Sequence, residues 1–102
     1  MAYAGTKVRI ISRITDYDGN PITGSMGVTV TLDVFDPSKA KIVDAEAMTW
    51  SATGNTKGPY WFFDWQSPDT PGSYRSKVTA TGGDDNIDAF EFGRFSLKRS
   101  PV

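Results

Sequence analysis

Apolar and polar residues alternate along most of the chain, and a helical 3.6-residue period is nearly absent. Period-two alternation marks strands with one buried face, and the runs are rich in the β-branched and aromatic residues that suit a pleated surface. In "KVRIISRIT" (7–15) Val8, Ile10 and Ile14 share a face, with Ile11 on the other. "VTVTLDVFD" (28–36) puts Val28, Val30, Leu32 and Val34 inside and Thr29, Thr31, Asp33 and Phe35 outside. "IVDAEAMTWSA" (42–52) reads as two short strands or one bent one. "YWFFDWQ" (60–66), "SYRSKVTAT" (73–81) and "AFEFGRFSLK" (89–98) complete the set. The segments between them carry the Gly, Pro, Asp and Asn residues of turns. About seven short strands at regular spacing predict an all-β, immunoglobulin-like sandwich of antiparallel strands, with a small β-barrel as the alternative.

The run 60–66 is apolar on both faces. Trp61, Phe63 and Trp65 form one set, and Tyr60, Phe62 and Asp64 the other. Burying a carboxylate without a partner costs several kcal/mol, on the order of 2–7 for a polar group and more for a charge. The tryptophan set is therefore expected inside, leaving Tyr60 and Phe62 outside. If this strand pairs with 28–36, Phe35 comes close to Tyr60. Phe35, Tyr60 and Phe62 then form an exposed aromatic patch, the kind of surface that anchors partners. Tyr3, on the N-terminal arm, either joins that contact or folds back over the patch. In the last run Phe90 and Phe92 share parity, whereas Phe95 and Leu97 have the opposite one. A bulge at Gly93 would bring all four to the core, and we expect that arrangement.

"DTPGSY" (69–74) places an Asp and a Gly ahead of Tyr74 at the start of the penultimate strand. This matches a tyrosine corner, whose hydroxyl bonds a backbone group a few residues upstream. In antibody domains a cysteine follows two positions later; here the residue is Ser76. Tryptophan is expected to fill the centre instead, with Trp50 the candidate.

The arrangement "GNPI … VTVTLDVFDP … TWSATGNTKGPYWFFDWQSPDTPGSYRSKVTATGGDD … FGRFSLK" resembles short bacterial Ig-like domains and the Ig-like accessory proteins of tailed bacteriophages. The resemblance covers about residues 6 to 98. It implies a non-catalytic virion protein, decorating the head or sitting on the tail, with viral structural proteins such as the major capsid protein as partners. It supplies no catalytic residues. The family pattern also turns Tyr60 inward, which a bulge near Phe63 would reconcile with the alternation.

Composition narrows the chemistry. A chain of 102 residues is expected to form one domain: an arm at 1–6, a sandwich at 7–98 and a tail at 99–102. There is no Cys and no His, so disulfides, thiol and imidazole catalysis and the common zinc sites are excluded. The net charge of -1 argues against nucleic acid as a partner. No run approaches the ~18 apolar residues of a membrane helix, and the N-terminus has no apolar leader, so we expect no membrane partner and synthesis in the cytoplasm. The resemblance implies that this is a host's cytoplasm and that the protein ends up in the virion.

"DYDGN" (16–20) puts Asp16, Asp18 and Asn20 at the first, third and fifth positions of a calcium loop. The match fails at Pro21 and Gly27, so a polar turn is the better reading. Asp84 and Asp85 in "GGDDN" are a second acidic loop. Weak calcium binding at either loop is the remaining metal expectation, and no cofactor is expected. Ser12, Ser51 and Ser67 have no recognisable catalytic partner, so no enzymatic activity is expected. The sequence thus points to a protein-binding module, capable of homo-oligomerisation. A carbohydrate-binding or adhesion module is the alternative: exposed Trp and Tyr would stack on the sugar rings of a surface polysaccharide, Asp64, Asp84, Asp85 and Asn86 would bond its hydroxyls, and Trp61→Ala would abolish binding.

Overall fold

A computed structural model describes residues 2–83 and 87–99. Seven strands form it: β1 (Lys7–Ser12), β2 (Val28–Phe35), β3 (Lys41–Ala47), β4 (Thr49–Asn55), β5 (Gly58–Gln66), β6 (Gly72–Gly82) and β7 (Ile87–Leu97). A short 3-10 turn at Gly24–Met26 precedes β2. The strands make two antiparallel sheets, ordered β1-β5-β4 and β3-β2-β6-β7. This is the expected disulfide-free, Ig-like sandwich. Val30, Leu32, Val34, Tyr74, Val78 and Ala80 fill the gap from one sheet, and Ile10, Trp61 and Trp65 from the other.

The run 42–52 is two strands, and they belong to different sheets. Only Met48 separates β3 from β4; it is buried, and its N–H donates to Val30 O at 2.8 Å. Ala47 pairs with Thr31 of β2, whereas Thr49 pairs with Phe62 of β5. Just before this crossing, Ala45 adopts a positive φ of 51°, and its N–H is held by the Asp33 carboxylate at 2.7 Å. The crossing corrects one expectation. It carries β4 into the second sheet, and the tight Asn55–Gly58 connection obliges β5 to follow. β5 therefore pairs with β1 and β4, and not with β2, both of whose edges are taken by β3 and β6.

Alternation along β5 holds without a bulge. The register from Lys7↔Gln66 to Ser12↔Trp61 is continuous, so Trp61, Phe63 and Trp65 face the other sheet. The tryptophans buried in the core are Trp61 and Trp65, not Trp50, and the Trp61 indole Nε1 donates to Ile22 O at 2.9 Å. Trp50 is half-buried and packs on Trp61, ring centroids 5.3 Å apart. Gly24 lies directly against the Trp50 ring, leaving no room there for a Cβ.

At the opposite end, Trp65, Tyr74 and Phe95 form an aromatic cluster that ties the two sheets together. Tyr74 stacks on Phe95 at 5.6 Å, and Trp65 meets both edge-on at 5.8 and 6.0 Å. The tyrosine corner is present: the fully buried Tyr74 donates its hydroxyl to Thr70 O at 2.6 Å. The N-terminal arm lies beside the end of β7. Ala4 N donates to Lys98 O and Lys98 N to Ala2 O, before the chain crosses to β1.

β6 and β7 pair in one unbroken register from Gly72↔Leu97 to Gly82↔Ile87. The bulge expected at Gly93 does not form. With Phe95 and Leu97 packed inward, parity sends Phe90 and Phe92 out, and they are 60% and 69% exposed. Gly93 has a different reason: opposite it sits Ser76, whose Oγ would lie 2.6 Å from an added Cβ.

Tyr74→Phe removes one net hydrogen bond from the corner and should lower unfolding free energy by about 0.5–1.5 kcal/mol. Urea titration followed by circular dichroism measures it; an unchanged midpoint would show that the corner adds nothing to stability.

Candidate functional site

The expected patch of Phe35, Tyr60 and Phe62 is not one surface. Phe35 lies on β2, on the outer face of the four-stranded sheet, whereas Tyr60 and Phe62 lie on the outer face of the other sheet. The strand crossing at Met48 separates them. Tyr60 is only 7% exposed, although it points away from the core. The Arg13 guanidinium lies 5.4 Å from its ring centre, Arg9 Nη1 reaches its hydroxyl at 3.5 Å, and Phe62 meets it edge-on at 6.2 Å. Arg9 also stacks 4.1 Å over Phe62 and holds Asp64 through bonds of 2.7 and 3.0 Å. The outer aromatics of β5 are thus covered by Arg9 of β1 and by Arg13 just past its end. Tyr3 sits on neither patch; it bridges to Lys98 at the end of β7.

The sugar-stacking role for Trp61 is likewise corrected. Its ring is in the core and its indole N–H is taken by Ile22. Asp64 is occupied by Arg9, while Asp84, Asp85 and Asn86 lie outside the described residues. Asp16 and the serines Ser12, Ser51 and Ser67 have structural partners. Asp16 Oδ1 accepts from the N–H groups of Asp18 and Asn20, both at 2.9 Å, which makes "DYDGN" a carboxylate-closed turn. Among the described residues no group of three or more potential metal ligands converges. Ser12 Oγ donates to Glu91, Ser67 Oγ to Thr6 O, and Ser51 Oγ accepts from Gly54 N.

The aromatic surface that does form is on the four-stranded sheet. Phe90 and Phe92 meet edge-to-face at 5.4 Å, and Lys77 Nζ lies 5.3 and 5.8 Å from their ring centres. Register sets this arrangement: Thr79 is opposite Phe90, Lys77 opposite Phe92 and Arg75 opposite Arg94. Beside the phenylalanines a groove of about 690 Å³ runs between Phe35, Pro37, Lys39, Arg75, Phe92 and Arg94. Arg75 and Arg94 are like charges directly across a strand pair, an arrangement that costs stability. Neither has an ion-pair partner among the described residues. Asp36 is the carboxylate lining the groove, and it is engaged by its own turn: Oδ1 accepts from Ser38 N, Ser38 Oγ and Ala40 N at 2.6–2.9 Å. The groove therefore presents three cations against one carboxylate, on a chain whose net charge is -1.

Phe90, Phe92, Arg75, Lys77 and Arg94 were not expected as a surface. The signal was the parity of the last strand. Glycine permits a bulge but does not require one.

Two exposed carboxylates respond to their partners. The Arg9 guanidinium holds Asp64 below the ordinary carboxylate range, and the Ser38 hydroxyl with the Ala40 N–H does the same to Asp36. Arg9 is in turn driven upward, first by its bond to Asp64. A carboxylate depressed by folding stabilises the fold above its unfolded value, about 4, and loses that contribution as pH falls through its folded value. Asp64→Asn should therefore flatten the acid limb of the stability curve below about pH 4. Urea midpoints measured across that range test this. Because the pair is exposed, added salt should shrink the difference.

No family model, curated protein or solved structure matches this chain.

Proposed function

We propose that the chain is a non-catalytic, protein-binding module that docks through the outer face of its four-stranded sheet. One observation carries the reading: Phe90 and Phe92, two large apolar side chains, stand side by side in solvent next to a cationic groove. An edge-strand aromatic pair offers a large apolar anchor at little conformational cost, and contiguous exposed apolar surface marks interaction sites. Arg75, Arg94 and Lys39 favour a partner surface with carboxylates around an apolar centre.

The setting we propose is a tailed-phage particle, with the chain bound to a viral structural protein such as the major capsid protein. This rests on the sequence resemblance. A small rigid sandwich repeated over a shell adds contact area at each copy, and many copies compensate for one weak interface by avidity.

Immunogold labelling of particles from the source tests the setting. Gold spread over heads or tails is expected; unlabelled particles with the protein left in the lysate would overturn it. Phe90→Ser with Phe92→Ser tests the face. The double variant should keep its circular dichroism spectrum and bind particles at least about tenfold more weakly, the loss expected when a hot-spot pair is truncated. Binding at the parental level would remove the face from the account. Retained affinity for purified surface polysaccharide, with none for the particle, would bring the adhesion reading forward.

A further inference from the structure

The sandwich has four strand edges, and three are blunted. β3 carries two register irregularities against β2, the left-handed Ala45, and charges at Lys41, Asp44 and Glu46. β4 loses register between Ser51 and Asn55, where Gly54 has a positive φ. β1 is six residues long, with Lys7 and Arg9 on its outer row. Such irregularities, charges and short lengths are the usual guards against edge-to-edge pairing. β7 also carries charges, at Asp88, Glu91 and Arg94, but it has neither the irregular geometry nor the short length of the others. It is eleven residues long, in unbroken register and without proline.

The hydrogen-bonding direction of β7 follows from its last contact. Lys98 gives its N–H to Ala2 and accepts from Ala4, so its polar backbone groups point away from β6. Antiparallel ladders alternate. Hence Ser96, Arg94, Phe92, Phe90 and Asp88 also turn their N–H and C=O groups to the free edge, with their side chains in the outer row. The N-terminal arm closes this edge at Lys98 and leaves it for β1, so no strand among the described residues pairs with the row from Asp88 to Ser96.

We propose that this row pairs with a second copy of the same chain, antiparallel about a two-fold axis through Phe92. The row is centred on Phe92, so this register uses its full length and leaves the arm in place. Phe92 then lies opposite the partner's Phe92, and Arg94 opposite the partner's Phe90, a cation–aromatic pair made twice. Asp88 falls opposite the partner's Ser96 and diagonal to the partner's Arg94, within the roughly 7–8 Å at which cross-strand charges still interact. On the inner row Glu91 meets the partner's Gly93, which leaves room for it, and Ala89 meets the partner's Phe95. A register centred on Glu91 would instead place two carboxylates face to face. The product is an eight-stranded sheet with one continuous aromatic face. It also supplies the charge partner that Arg94 lacks within the described residues of a single chain.

This inference does not depend on the virion setting or on the partner proposed above, and its test uses the purified full chain alone. Sedimentation velocity over a concentration series should show the mass doubling from 11.2 kDa. Phe92→Lys, which sets two like charges across the axis, should sediment as a monomer with an unchanged circular dichroism spectrum. Arg94→Glu, a variant on the solvent side of the strand, should also weaken the dimer by bringing a second carboxylate near the partner's Asp88, and it serves if Phe92→Lys fails to fold. A parental chain that stays monomeric throughout, or a dimer indifferent to the folded variants, overturns the proposal.

Discussion

The unbroken ladder between β6 and β7 is the constraint on which the functional surface depends. Eleven consecutive register pairs leave no residue over, so each side chain on β7 is committed by parity once any one of them is placed. Phe95 is placed by the aromatic cluster. It stacks on Tyr74, which the corner bond to Thr70 pins, and both meet Trp65 from the facing sheet. With Phe95 in, Phe90 and Phe92 are out. An exposed aromatic pair is therefore the consequence of a well-packed end of the core, further along the same strand.

The second determinant is the crossing at Met48. One residue separates a strand of one sheet from a strand of the other, and the crossing is prepared by the left-handed Ala45 and its bond to Asp33. It decides that β5 joins β1. That pairing places Arg9 beside Asp64 and over Phe62, and thereby covers the aromatics that look most available in the sequence. The two sheets thus differ in their outer faces. One is sealed by Arg9 of β1 and by Arg13 just past that strand. The other has arginines with no ion-pair partner among the described residues, and its phenylalanines have Lys77 beside them.

Much of this was legible in the residues. Alternation placed Val30, Leu32 and Val34 inside, the desolvation cost of Asp64 oriented β5, and the spacing ahead of Tyr74 signalled the corner. Those are local rules, and the structure keeps them. Long-range facts were harder to read. Strand neighbours depend on which sheet a chain segment enters, and "AEAMTW" carries no turn signal where it changes sheets. The surface was misplaced for that reason and for one more. At Gly93 two physical arguments competed, hiding Phe90 and Phe92 through a bulge or keeping an intact ladder, and the ladder with its eleven pairs prevailed.

The account stands or falls on the parity of β7. The chain has no cysteine, so single cysteines introduced at Phe90, Phe92, Phe95 and Leu97 can be read by their rate of thiol labelling under native conditions. Cysteines at 90 and 92 should react nearly as fast as in the unfolded chain, and those at 95 and 97 should be strongly protected. Protection at all four positions would mean that a bulge at Gly93 turns the phenylalanines inward, and the binding face described here would not exist.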